Sequence, residues 1–62
     1  MTLSEAFREE GCSDISVYIS RERRIVSSSW ERMDSILGQY GERTVLSLWT
    51  DPVNCKTYIV TK

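Results

Sequence analysis

Three guanidinium groups within four positions, Arg21, Arg23 and Arg24, form the densest cluster of chemistry-bearing side chains in the sequence. Such a cluster can grip phosphates or carboxylates through forked hydrogen bonds. Glu22 sits among them, and a solvated turn that keeps a hairpin soluble explains the same residues. Glu31 and Asp34 stand three positions apart, where a helix would set two carboxylates side by side, but a solvated helix face is the better account of them. The chain has no histidine, which removes the usual general base, the common zinc ligand and the physiological pH switch together. It has no glycine-rich phosphate loop and no nucleophile with a recognisable base. Cys12 and Cys55 lack the histidine or neighbouring thiols that a zinc site needs. The expectation is a protein that is not an enzyme and uses neither cofactor nor metal.

What remains is binding chemistry, and it lies in the aromatic residues Tyr18, Trp49 and Tyr58. Their use depends on which side of which element they occupy. Asp14 to Ser20 alternates Ile15, Val17 and Ile19 with Ser16, Tyr18 and Ser20, the period of a strand with one buried face. Arg21 to Arg24 is then a charged turn, and Ile25 to Ser29 returns as a second strand. Thr44 to Thr50 sets Leu46 and Leu48 against Val45, Ser47 and Trp49. Asp51-Pro52-Val53-Asn54 is a turn: proline presets φ at its second position, and Asp and Asn bond to nearby backbone. Lys56 to Lys62 returns with Thr57 and Ile59 opposing Tyr58 and Val60.

A short helix precedes each hairpin. Thr2 and Glu5 form a capping box for the first, which buries Leu3, Ala6 and Phe7 and stops at Gly11. Ser28 and Glu31 offer a second box opening Trp30 to Tyr40, where Trp30, Met33, Leu37 and Tyr40 make an apolar stripe. Gly38 weakens that helix and is where an early stop would fall; Gly41 is the expected terminator. The order αββαββ predicts a small α+β domain covering residues 1–62, with an antiparallel four-stranded sheet and both helices mainly on one face. The expected core is Leu3, Phe7, Ile15, Val17, Ile19, Met33, Leu37, Leu46, Leu48 and Ile59, with Trp30 buried where strand meets helix.

Composition agrees with that size and class. Of 62 residues, 40% are hydrophobic and 27% charged, a globular balance without the apolar run that a membrane span requires. Eight basic residues against nine acidic ones leave no global field pointing to nucleic acid or an anionic membrane. Met1 leads straight into Thr2-Leu3-Ser4-Glu5 with neither a basic n-region nor an apolar h-region, so a cytoplasmic setting is expected. There Cys12 and Cys55 would be reduced and packed as small hydrophobes; one long-loop disulfide is the alternative. A core this small is marginal, which makes oligomerisation the natural source of added stability.

The layout resembles a loose group of small uncharacterised proteins from bacteriophages and mobile elements of Gram-positive bacteria. The shared features are a short helix from Leu3 to Phe7, the alternating strand of Ile15, Val17 and Ile19, a second strand and a polar helix. A strand with Val45, Ser47 and Leu48 and a closing strand from Tyr58 to Thr61 complete the pattern. The resemblance implies a mobile-element origin and a cytoplasmic setting, and it carries over no functional residue.

If the Ile15, Val17, Ile19, Leu46, Leu48 and Ile59 side faces the helices, pleating puts Tyr18, Val45, Trp49, Tyr58 and Val60 on the reverse side. An exposed face with three aromatic rings marks an interaction surface. Burial of those rings by a twisted hairpin or a helix on each face is the competing outcome. The leading reading is a non-catalytic protein-interaction module that forms a homodimer or docks onto a host protein, as a phage or mobile-element accessory protein or inhibitor would. The alternative is single-stranded nucleic-acid binding, with the aromatic face as a stacking platform beside Arg21, Arg23 and Arg24.

Overall fold

The computed structural model describes residues 1–9 and 14–62. The helix stop assigned to Gly11 and the thiol of Cys12 lie outside the described residues. The element order is α1 (Leu3–Glu9), β1 (Asp14–Ile19), β2 (Arg24–Ser27), α2 (Met33–Tyr40), β3 (Val45–Asp51) and β4 (Lys56–Thr61). No helix among the described residues is long and apolar enough to cross a membrane.

The first helix starts as its residues dictate. The Thr2 N–H donates to Glu5 Oε1 at 3.0 Å, and the Glu5 N–H donates back to Thr2 Oγ1 at 3.3 Å, a reciprocal cap. The Thr2 N–H, contributing most, and the Thr2 hydroxyl, which donates to the same oxygen at 3.1 Å, hold the Glu5 carboxyl below the usual carboxylate range. Leu3, Ala6 and Phe7 are buried.

The second helix is shorter than its apolar spacing predicts, and it begins at Met33 rather than Trp30. Ser28 is not free to cap it: its Oγ accepts from the Ile15 N–H at 2.8 Å, and its own N–H donates to the Ile15 carbonyl at 2.9 Å. The Ser27 carbonyl instead gathers the N–H groups of Trp30 and Glu31 in a turn. Within it Ile36 and Tyr40 are buried, with Leu37 at the edge of the core. Met33, at the exposed first turn, and Trp30, which lies before the helix and is 65% exposed, are not the buried residues that the stripe suggests.

The four strands form one sheet in the order β2-β1-β4-β3. Each hairpin is antiparallel, but the central β1 and β4 run parallel, so the sheet is mixed and not antiparallel throughout. Residues 28–44, which include α2, carry the chain from the β2 edge to the opposite β3 edge. The second hairpin consequently lays its last strand beside the first strand of the other, in the same direction. Parallel neighbours require a crossover of this kind, because a tight turn can only reverse the chain.

Ile15, Val17 and Ile19 of β1, Val26 of β2 and Ile59 of β4 join Leu3, Ala6, Phe7, Ile36 and Tyr40 in a single core. Both helices thus pack on the same face. Leu37, Val45 and Leu48 lie partly buried against it, whereas Leu46, expected inside, is 53% exposed. A β-bulge explains the change. The β3–β4 register pairs Val45 with Thr61 and Ser47 with Val60, leaving Leu46 as the extra residue. One inserted residue reverses the inside–outside parity of everything before it.

Candidate functional site: the outer face of the sheet

Away from the helices, the registers lay the outward residues in transverse rows. Trp49 on β3 stands opposite Tyr58 on β4, which neighbours Ser16 on β1, which faces Ser27 on β2. The next row is Ser47, Val60, Tyr18 and Ile25, in the same strand order. Neither row contains a charge. Towards the start of β4 the row is Asp51, Lys56 and Asp14, with Lys56 Nζ 4.0 Å from Asp14 Oδ2 and 5.4 Å from the Tyr58 ring centroid.

The directly opposed Trp49 and Tyr58 rings stack, with centroids 4.4 Å apart and planes 21° from parallel. Cross-strand aromatic pairs of this kind stabilise a sheet locally. Packing between the rings leaves Trp49 56% exposed, and across the face Tyr18 is 39% and Ile25 59% exposed. Tyr58 and Val60 between them are half-buried. The face is indented by an open depression of about 370 Å3 with Ser16, Tyr18, Ile25, Trp49, Tyr58 and Val60 along its walls.

Of the five residues assigned to this face by strand parity, Tyr18, Trp49, Tyr58 and Val60 share it. Val45 does not, because the bulge turns it inward, opposite Thr61 and against the core. Ile25 takes its place as the fifth apolar member, at the far corner of the face. The β1–β2 register pairs it with Tyr18, and a charged turn of fixed length between two strands was the signal that could have placed it.

One member of the arginine cluster is pinned by its neighbours. The Arg24 guanidinium donates to the Tyr40 hydroxyl at 3.1 Å and to Glu31 Oε1 at 3.4 Å, which ties it to the helix side of the sheet. Glu22, in the same turn, binds Arg43 at 2.9 Å and accepts from the Tyr40 hydroxyl at 3.3 Å. Arg21 and Arg23 are exposed, and Arg23 adopts a left-handed backbone with φ 52°. Arg24 is therefore held on the helix side of the sheet and not beside the aromatic rings. At the opposite end of the face two carboxylates, Asp14 and Asp51, flank a single lysine, an unfavourable border for a phosphate backbone.

The second hairpin turn is fastened by Asp51, whose Oδ1 accepts from the Val53 N–H at 3.0 Å and whose Oδ2 accepts from the Asn54 side-chain amide at 2.8 Å. The Asn54 amide, the largest influence, and these backbone donors hold the Asp51 carboxyl below its usual range. No group of three or more His, Cys, Asp or Glu residues among the described residues is placed to hold a metal ion. Cys55 is exposed in the same turn, with φ 49°. No protein-family model, curated protein or solved structure matches the chain.

Proposed function

We propose that this chain is a non-catalytic protein-interaction module that docks through the outer face of its sheet. One observation carries the reading: two uncharged rows in which Trp49, Tyr18 and Ile25 stay exposed although the opposite face of the same sheet buries every apolar residue of β1 that points into it. Contiguous apolar surface with exposed aromatic rings is the usual composition of an interface centre. The pattern resemblance to small proteins of bacteriophages and mobile elements supports a cytoplasmic accessory protein or inhibitor that acts by occupying a surface of another macromolecule. The engagement of Arg24 by Tyr40 and Glu31, and the carboxylates of Asp14 and Asp51 at the border of the face, favour protein over single-stranded nucleic acid as that macromolecule.

The test is site-specific photocrosslinking in cells, with the photoreactive residue placed at Tyr18 and, for comparison, at exposed Gln39 on α2. Protein adducts at position 18 and none at 39 are expected. Adducts at neither position, or nucleic-acid adducts at 18, would overturn the reading.

A further inference from the structure

We infer that the partner this face fits is a second copy of the same chain, stacked sheet on sheet about a two-fold axis that runs along the strands, midway between β1 and β4. The inference rests on the outer face being the docking surface, and it adds the occupant and its orientation. Two stacked sheets keep their strand directions roughly aligned and about 10 Å apart. Because β1 and β4 are the central pair of the order β2-β1-β4-β3, this axis lays β4 on the partner's β1 and β3 on the partner's β2, so that all four strands overlap.

Side-chain size is self-complementary under that operation. Tyr58 comes to lie over the partner's Ser16, and Trp49 comes to the edge where the partner's Ser27 is itself fully buried and bonded to Ser29. Ile25 meets the partner's Ser47 by the same symmetry. Tyr58 and Ile25 thus face small residues of the partner, as interdigitating layers require, while Val60 packs against the partner's Tyr18. Charge is complementary too. Lys56 is set over the partner's Asp14, and Asp14 over the partner's Lys56, so the existing Lys56–Asp14 pair becomes a square of alternating sign. The other stacking two-fold, across the strands, reverses β4 on itself and brings Lys56 towards the partner's Lys62, like charge against like. Charge therefore selects one axis of the two.

The area suits a weak dimer. Four strands about 4.8 Å apart and about six residues long make a plane of roughly 400 Å2 per copy. With side-chain relief, the total buried approaches the lower bound of about 1,000 Å2 for a specific interface. Assembly is accordingly weak and concentration-dependent.

Sedimentation equilibrium over a concentration series tests this. The wild type is expected to rise from 7.2 kDa to twice that mass. Lys56→Asp and Asp14→Lys should each weaken association by about tenfold or more, because each sets like charges face to face. Mixing the two variants restores the dimer, since the acidic copy then meets the basic one. Ser16→Tyr, which sets a ring against the partner's Tyr58, abolishes assembly while circular dichroism stays native. A dimer that the mixture fails to restore would overturn the orientation. A wild type that stays monomeric, while position 18 still crosslinks to proteins of other mass, would overturn the second copy as occupant and leave the docking face standing. Monomer without adducts would remove both.

Discussion

The two faces of one sheet are built from interleaved residues of the same strands, yet they have opposite fates. In β1, Ile15, Val17 and Ile19 are fully buried beneath two helices, while Tyr18 between them remains exposed. In β4, Ile59 is buried and its neighbours Tyr58 and Val60 only half so. A sheet solvated on its outer side ordinarily carries polar residues there. Here the solvent side carries Trp49, Tyr58, Tyr18 and Ile25 instead, and its charges are confined to the ends. The inner face supplies the buried core, and beyond the Trp49–Tyr58 stack the outer face has a composition that burial within this chain does not explain.

Substitutions that separate the faces sharpen this contrast. Ile19→Ala or Ile59→Ala, each removing a fully buried side chain, should cost about 2–5 kcal/mol in denaturant titration, enough to unfold a domain of this size. A loss well under 1 kcal/mol at either would break the assignment of the inner face. Next in size is Gly41, where α2 ends against α1. Its carbonyl accepts from the Ser4 N–H at 2.9 Å, and a Cβ there would collide with the Leu37 carbonyl oxygen and the Ser4 hydroxyl. Gly41→Ala should cost about 1–3 kcal/mol. Gly38, one turn earlier, has open space around it, and Gly38→Ala should stabilise the helix by about 0.5–1 kcal/mol. The same substitution of opposite sign, read by thermal melting, shows whether the helix layer is seated on the inner face as described.

On the outer face the expected stability effects are small. Trp49→Ser removes the stacked partner of Tyr58 and should cost about 0.5–1.5 kcal/mol, while eliminating assembly. A cost as large as that of Ile19→Ala would mean that the outer face belongs to the fold after all. The smallest effect is that of pH. Glu5 and Asp51 both titrate below their ordinary ranges because hydrogen bonds favour their charged forms. Their contribution is thus complete above the unfolded carboxylate range and is lost as pH falls below about 4. A midpoint measured between pH 6 and pH 3 should decline at the acid end, and Glu5→Gln should flatten part of that decline.

Much of this arrangement was legible from residue types alone. The alternation of Ile15, Val17 and Ile19 with Tyr18 dictates two faces, and the same period places Trp49, Tyr58 and Val60. The Thr2–Glu5 cap and the Asp51-Pro52-Val53-Asn54 turn follow from side chains whose geometry is local. What was not legible depends on distant partners. Nothing in Val45-Leu46-Ser47 announces a bulge, because the register is decided by pairing with β4, and so Val45 was assigned to the wrong face. Ser28 and Glu31 spell a helix cap, but β1 competes for the same serine and wins. The parallel pairing of β1 with β4 is likewise a property of the crossover, not of either strand.

The two tryptophans offer the most direct test, because Trp30 in the β2–α2 connection and Trp49 on the outer face are similarly exposed in the single chain, 65% and 56%. Trp30→Phe leaves Trp49 as the sole tryptophan, and Trp49→Phe leaves Trp30. Acrylamide quenching of each variant over a range of protein concentrations should show Trp49 becoming shielded as concentration rises, with Trp30 quenched equally throughout. Trp49 emission that stays fully quenchable at every concentration and in the presence of cell extract would contradict the assignment of the outer face as an interface.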